Sequence, residues 1–225
     1  FEARRQRQMC IRDRYKRGRA QKQVSGICLT NKMFGKWEAI LGSPAIASGT
    51  PYLDGIWSYC RGGAFIGKGN LSSARLELGK IWRVISLNDI DSNPIGPTPV
   101  SSILRLAALS LSGEIKQADG DIKSAIADYQ AAIAIEDKNA YIEPPDWPQP
   151  IRHYLGSALL ESGRNAEAEE VYRQDLAWHQ DNGWALFGLW QSLAAQGKPD
   201  EAAKTLEKFQ HAWRNADTAL TRSRL

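Results

Sequence analysis

Apolar residues recur at steps of three and four positions along most of this chain, a spacing that places them on one face of an α-helix. The amphipathic stretches come in pairs, and a glycine separates the two members of each pair. An alanine follows each of these glycines five residues later, at Gly69/Ala74, Gly120/Ala125, Gly163/Ala168 and Gly197/Ala202. The pattern predicts antiparallel helix pairs repeated along the chain, the last two copies lying 34 residues apart.

A small residue is expected seven positions before each turn glycine, where the first helix of a pair touches the second. Gly62, Gly113 and Gly156 supply it, and the fourth copy departs from the pattern with Trp190. Small side chains allow antiparallel helices to approach closely, but each pair is left with one apolar face unburied. Because stacking on the next pair buries that face, we expect an all-α protein, an α-solenoid of antiparallel helix pairs.

The period, the turn glycine and the alanine resemble the tetratricopeptide repeat. The residues of the third copy that match the repeat pattern are Leu155, Gly156, Leu159, Gly163, Ala168 and Tyr172. Two positions depart from it: Asp175 stands where alanine is usual, and Gln180 stands where proline is usual. The resemblance covers roughly residues 53–216 and implies about four helix pairs in a superhelix. It also implies a role in protein interaction, and it supplies no catalytic residue.

Proline and turn residues interrupt the repeats twice, so insertions are predicted near residues 86–100 and 138–150. The stretch from Gly35 to Ile40 resembles the turn of an earlier repeat, and residues 25–52 are therefore interpreted as its remnant. Residues 217–225 are predicted to form a C-terminal tail. The order of an EPPDW loop, an RxxLG helix and an NGWALFGL helix also resembles uncharacterised bacterial tetratricopeptide proteins.

Positive charge is concentrated at the start of the chain. Residues 1–24 hold nine Lys or Arg against two acids, whereas the remaining 201 residues carry 20 basic and 23 acidic groups, a balance of −3. The segments Met9–Asp13 and Arg14–Arg17 resemble the translation of a sequencing adapter. We therefore favour an artefact over residues 1–24, and on that interpretation the protein's own N-terminal part is missing. A disordered basic tail and a nucleic-acid-binding arm are the alternatives for this segment. Because the remaining 201 residues are mildly acidic, no nucleic-acid partner is expected for the body of the protein.

Several classes of chemistry are not indicated. The three cysteines, Cys10, Cys28 and Cys60, are too scattered for a disulfide framework or a zinc site, and no apolar run is long enough to span a membrane. The stretch from Gly62 to Gly69 nearly spells a phosphate-binding loop but lacks the Ser or Thr that would hold magnesium. We therefore expect no enzyme activity, no cofactor and no metal site, and the compartment is not indicated.

The concave groove formed by the first helices is the predicted binding surface, and the expected function is that of a non-catalytic interaction module or scaffold. The groove candidates are Tyr59, His153, Tyr154, Ser157, Trp184, Phe187 and Gln191, and the candidates in the EPPDW loop are Tyr141, Glu143 and Trp147. Aromatic side chains among them would suit a peptide or protein partner.

Less specific interpretations remain open for several of these residues. Trp184 and Phe187 could pack in the core, Trp147 could cap the neighbouring pair, and His153 could lie at the surface or pack. His153→Ala is predicted to leave folding nearly intact. The alternative function is an accessory repeat segment at the C-terminal end of a larger enzyme or a secretion-related protein.

Overall fold

The structure is a computed structural model that describes residues 18–44, 49–92 and 94–224. Within these ranges it has ten α-helices and no β-strand: α1 Gly18–Met33, α2 Trp37–Gly42, α3 Pro51–Gly67, α4 Leu71–Ile85, α5 Val100–Ala118, α6 Ile122–Glu136, α7 Ile151–Glu161, α8 Asn165–Trp178, α9 Gly183–Ala195 and α10 Pro199–Ala212. The adapter-like segments and Cys10 lie outside the described residues. None of the helices in these ranges is long and apolar enough to cross a bilayer.

Helices α3 to α10 form four antiparallel pairs that stack in chain order. Each second helix packs on its own first helix and on the first helix of the next pair, and the first helices α3, α5, α7 and α9 contact their neighbours directly. The predicted all-α solenoid is therefore confirmed. We call the surface formed by α3, α5, α7 and α9 the inner face, which is the predicted concave groove.

The turn glycines allow each pair to reverse direction. Gly69, Gly120, Gly163 and Gly197 have φ angles of 73°, 87°, 74° and 71°, a left-handed conformation that side chains other than glycine's adopt reluctantly. Gly35, between α1 and α2, has the same conformation at 63°. Each of the five turns therefore has the residue that its backbone requires.

The glycines inside the first helices allow large side chains from neighbouring helices to approach. A Cβ atom on Gly113 would lie 2.5 Å from the ring of Tyr129 on α6, the second helix of the same pair. Gly62 differs from the expectation, because a Cβ there would first meet Leu111 of α5 at 2.5 Å rather than its own second helix α4. In the first pair the small residue therefore serves the contact between neighbouring pairs.

Helix α1 packs on α3 before the first complete pair. It begins at Gly18, so residues 18–24 of the basic segment belong to this helix in the structure, and the Lys22 ammonium forms an ion pair with Asp146. Its residue Cys28 and Cys60 of α3 are both buried as free thiols, and burial raises the pKa of Cys60 well above its usual value.

The array is strongly curved towards its inner face. Phe34, which follows α1, contacts Trp184 on α9 with the ring centroids 6.1 Å apart, although three helix pairs separate the two residues along the chain. The turn that follows α1 therefore reaches across the inner face to α9 and narrows the face.

Candidate peptide-binding face

A buried ion pair lies at the centre of the inner face. The Lys32 ammonium of α1 donates to both carboxylate oxygens of Glu114 on α5, at 2.9 and 3.0 Å, and to the Tyr154 hydroxyl at 3.3 Å. The same ammonium lies 4.4 Å from the ring centroid of Tyr59. Burial tends to lower the pKa of Lys32, but the Glu114 carboxylate and the Tyr154 hydroxyl outweigh it and raise this pKa, so the lysine is charged.

The chain after α10 is not helical, and it returns to the same face. We call residues 217–224 the tail. The Gln191 side chain of α9 donates to the carbonyl of Thr221 at 3.3 Å. Thr221 and Arg222 are exposed, but the two residues that follow them are buried. The tail therefore reaches the inner face at α9 and continues beneath its surface.

The buried end of the tail makes the most specific contacts. The hydroxyl of Ser223 donates to the backbone carbonyl of His153 at 2.9 Å and lies 2.6 Å from the Tyr172 hydroxyl. The Arg224 guanidinium donates to Oε1 of Gln117 at 2.9 Å. These contacts fix the tail to α7, α8 and α5 within two residues.

The Arg224 guanidinium also has a charge partner and an aromatic partner. One of its nitrogen atoms is 3.7 Å from Oε2 of Glu114, and its carbon lies 5.2 Å from the ring centroid of Tyr154. Glu114 therefore faces two cations, Lys32 and Arg224, and its side chain is only 5% exposed. A single buried carboxylate joins the two end segments of the described chain.

The structure brings two of the predicted groove residues, Tyr59 and Tyr154, into this centre. Their hydroxyl oxygens are 3.5 Å apart, and that of Tyr59 is 3.4 Å from the Ser110 hydroxyl. Burial raises the pKa of Tyr59 well above its usual value, so the Tyr59 hydroxyl stays neutral and acts as a hydrogen-bonding group. The two tyrosines are covered by α1 and the tail rather than open to a partner.

Ser157 and Gln191 are the predicted groove residues that line open space. They border a cleft of about 490 Å³ between α7 and α9, together with Leu160, Glu161, Trp190, Ala194 and Arg222 of the tail. The cleft adjoins the point where the tail reaches α9. A partner can therefore contact the inner face at this position while the rest of it is covered.

The side chains of Trp184 and Phe187 pack against the fourth pair instead of lining the cleft. The Trp184 ring meets Trp213 edge to face with centroids 5.3 Å apart, and Phe187 lies 5.2 Å from Phe209 of α10. Both are less than a tenth exposed. Trp184 and Phe187 therefore belong to an aromatic cluster that is separate from the main hydrophobic core, and neither lines the cleft.

His153 points its imidazole into the third pair. Its Nε2 atom is 3.0 Å from Asp175 on α8, and both side chains are 1% exposed. His179 approaches the other oxygen of the same carboxylate at 3.0 Å. Burial tends to raise the pKa of Asp175, but the two histidines outweigh it and lower this pKa. Asp175, where alanine is usual in the repeat, is therefore the partner of a buried histidine. Only the backbone carbonyl of His153, and not its imidazole, contacts the tail.

The EPPDW loop divides between surface and interior. Trp147 is buried against Tyr59 with ring centroids 5.0 Å apart, so it covers the inner face at α3. Tyr141 is 84% exposed, and its hydroxyl donates to Glu143, which is exposed as well. Of the three loop candidates, Tyr141 and Glu143 are accessible to a partner.

The residues that sequence reasoning missed are the polar ones that hold the tail. Glu114 and Gln117 lie on α5 among apolar neighbours, and each is about 5% exposed. The available signal was the position of Glu114, which directly follows the helix-crossing glycine Gly113. A carboxylate is rarely buried without a partner, so this position indicates a buried cation nearby. Ser223 and Arg224 carry no such signal.

The arrangement holds a cation through a carboxylate, a carbonyl and an aromatic ring. The Glu114 carboxylate, the Gln117 carbonyl and the Tyr154 ring face converge on one guanidinium. In the part of the chain that the structure describes, no group of three or more His, Cys, Asp or Glu side chains is arranged to hold a metal ion.

Comparisons with known proteins agree with the fold. A family model described as "Tetratricopeptide repeat" matches residues 159–215, which hold most of the third and fourth pairs. The chain is similar to the crystal structure of nearly identical TPR-like repeats from a kinesin light chain of Podospora anserina, at 16% identity and a TM-score of 0.51. That match covers 91% of this chain and 99% of the other. The search of curated protein sequences finds no match.

Proposed function

We propose that this chain binds a peptide segment of a partner protein on its inner face, because residues 159–215 match the tetratricopeptide repeat and such repeats are generally protein-interaction modules. The observation that carries the proposal is that a non-helical segment, the tail, lies along α9, α7 and α5. It contacts side chains and a backbone carbonyl as a bound peptide would. The fold is of a type that is typically non-catalytic.

The open cleft at Ser157 and Gln191 also supports the proposal that a peptide binds on the inner face. Its volume of about 490 Å³ lies within the range of small binding sites, roughly 300–1,000 Å³. The cleft is bordered by apolar side chains such as Leu160 and Trp190 and by a few polar groups. We infer that a partner peptide would continue from the part of the face that the tail covers into this cleft.

A peptide selection tests the proposal. The bait is the double variant Ser223→Ala, Arg224→Ala, which lacks the two buried side chains of the tail, and the probe is a phage library of random short peptides. Gln191→Trp, added to the bait, fills the cleft. Lys204→Trp is the matched control, because Lys204 is exposed on α10, away from the inner face.

We expect selected peptides to bind the Gln191→Trp bait at least about tenfold more weakly than the parent bait, and the Lys204→Trp bait equally well. Equal binding to both tryptophan variants would place the peptide elsewhere on the molecule. Failure to select any peptide above background would also overturn the proposal.

A further inference from the structure

We propose that the inner face is specific for a serine followed by an arginine in a partner segment, and that Ser223 and Arg224 of the tail occupy this site as an internal competitor. The inference rests on the proposed function and deepens it, since it names the chemistry of the partner and the regulation of the same face. The observation behind it is that two consecutive tail residues are buried while the two before them are exposed.

The arginine part of the site is built for a guanidinium. Gln117 presents a carbonyl oxygen at 2.9 Å, Glu114 presents a carboxylate at 3.7 Å, and the Tyr154 ring lies 5.2 Å away. A guanidinium is planar, donates from several nitrogen atoms at once and stacks on aromatic faces, whereas a lysine ammonium is a compact point charge. The site therefore favours arginine over lysine.

The serine part of the site selects a small hydroxyl side chain. Ser223 is completely buried, donates to the His153 carbonyl and meets the Tyr172 hydroxyl at 2.6 Å. A larger residue would have to displace Tyr172, whose ring is itself held between the glycines of α7 and α9. The two subsites are occupied by adjacent residues, so the site recognises them in the order Ser-Arg.

The two polar side chains that bind the arginine, Glu114 and Gln117, keep other partners when the tail leaves. Glu114 remains bound to Lys32 through both oxygens, at 2.9 and 3.0 Å. Gln117 still accepts a hydrogen bond from the Tyr129 hydroxyl at 3.0 Å and still donates to Glu161. The buried carboxylate therefore stays paired, and release of Arg224 does not strand a charge in the core.

The tail is also an incomplete ligand. Nε of Arg224 is buried and has no hydrogen-bond partner among the described residues. A buried donor without a partner weakens binding, so a partner segment that satisfies this nitrogen would compete well. The tail compensates through its covalent attachment, because a short linker to α10 gives it a high effective concentration.

The test measures binding of a fluorescent peptide with the sequence of residues 216–225, ADTALTRSRL, to the full-length chain by anisotropy. Three chains are compared: the wild type, Arg224→Ala and Arg214→Ala. Arg214 is the matched control, since it carries the same charge, is exposed and lies just before the tail, where its guanidinium donates to the carbonyl of His211. A second peptide, with alanine at the position of Arg224, tests the arginine subsite directly.

We expect the Arg224→Ala chain to bind the parent peptide about tenfold or more tightly than the wild type does, because its own tail competes less. The Arg214→Ala chain should behave as the wild type, and the alanine peptide should bind the Arg224→Ala chain about tenfold or more weakly than the parent peptide. Circular dichroism confirms that each variant is folded.

Two results would overturn the inference. Equal affinity of the wild-type and Arg224→Ala chains would show that the tail does not compete, and equal affinity of the two peptides would show that the arginine is not recognised. If phage-selected peptides bind the cleft but ADTALTRSRL does not bind the Arg224→Ala chain, the Ser-Arg inference fails while the proposed function stands. If neither kind of peptide binds, both fail.

Discussion

Gly156 and Tyr172 are in a contact that only glycine permits, because a Cβ atom at position 156 would lie 2.3 Å from Cζ of the tyrosine ring. The same ring meets Gly188 of α9, where a Cβ would lie at 2.2 Å. Tyr172 on α8 is thus held between the first helices of two successive pairs. Its hydroxyl contacts Ser223, so the packing of the solenoid and the position of the tail meet at one residue.

The first prediction concerns this glycine. Gly156→Ala should lower the free energy of unfolding by about 1–3 kcal/mol, because the added methyl group overlaps a fully buried ring. Gly79→Ala on α4 is the control: nothing lies within 4 Å of a Cβ there, and alanine in a helix is about 0.5–1 kcal/mol more stable than glycine. Urea denaturation compares the two variants. Destabilisation of equal size at both positions would contradict the packing described.

The second prediction corrects the expectation that His153→Ala leaves folding nearly intact. The imidazole is buried and bound to Asp175, so its removal should lower the free energy of unfolding by about 1–3 kcal/mol. His179→Ala is the matched control on the same carboxylate, and since its side chain is 52% exposed we expect a change within about 0.5 kcal/mol. Equal melting temperatures for His153→Ala and the wild type would restore the surface interpretation.

The third prediction concerns the pH dependence of stability. Burial raises the pKa of Glu136, at the end of α6, to about 7, although the Ile151 N–H and Arg152 oppose the shift. Asp137 and Asp175 contribute to it. Because the folded state favours the protonated form, this contribution to stability is complete below the ordinary pKa of 4.5 and is lost as the pH rises through about 7.

The difference in free energy of unfolding between Glu136→Gln and the wild type should therefore favour the variant more at pH 8 than at pH 4. Urea denaturation at both values gives the comparison, and Glu207→Gln is the control because Glu207 is exposed on α10 and takes no part in the shift of Glu136. A Glu136→Gln effect that does not change between the two pH values would show that the carboxyl titrates normally.

The fourth prediction concerns the link between the third and fourth pairs. Glu169 on α8 accepts hydrogen bonds from Arg173 at 2.8 Å, from Gln196 at 2.8 Å and from Lys198 at 2.6 Å. Burial tends to raise the pKa of Glu169, but these donors outweigh it and lower this pKa to about 2. The stabilisation is therefore present above the ordinary pKa of 4.5 and is lost as the pH falls towards 2.

Glu169→Gln should cost about 1.5–3 kcal/mol of stability at pH 7, the range for hydrogen bonds to charged groups. The control is Glu170→Gln, one residue along the same helix, where the side chain accepts a single long hydrogen bond from Gln174 at 3.3 Å. Chemical denaturation at pH 7 and pH 3 compares them. If Glu169→Gln destabilises the protein as much at pH 3 as at pH 7, the pKa of Glu169 is not lowered in the folded state.

The solenoid could be predicted from the sequence because its determinants are local and periodic. The glycine at each turn needs a left-handed backbone, and the alanine that follows begins the second helix; both recur at fixed offsets. The wider role of Tyr172 was less visible, since the sequence marks it as a repeat position but does not show that Gly188 shares its ring.

The contents of the inner face could not be predicted in the same way. Lys32 and Glu114 are separated by 82 positions, and Arg224 and Gln117 by 107. Such contacts leave no period in the sequence, and they depend on how the two end segments lie on the curved array. Tyr59, Tyr154 and His153 were therefore selected as groove residues by register, although the structure covers or buries all three.

A measurement of where the tail lies in solution tests most directly whether it occupies the inner face. A nitroxide is attached at Arg222→Cys, in a chain whose Cys10 is replaced by serine, and amide signals are recorded by nuclear magnetic resonance with the label oxidised and reduced. Selective broadening of amides near Ser157 and Gln191 is expected, with none at Leu76 on α4, and the broadening should be lost when Arg224→Ala is added. Absence of broadening on α7 and α9 in the chain with Arg224 would contradict the claim that the tail occupies the inner face.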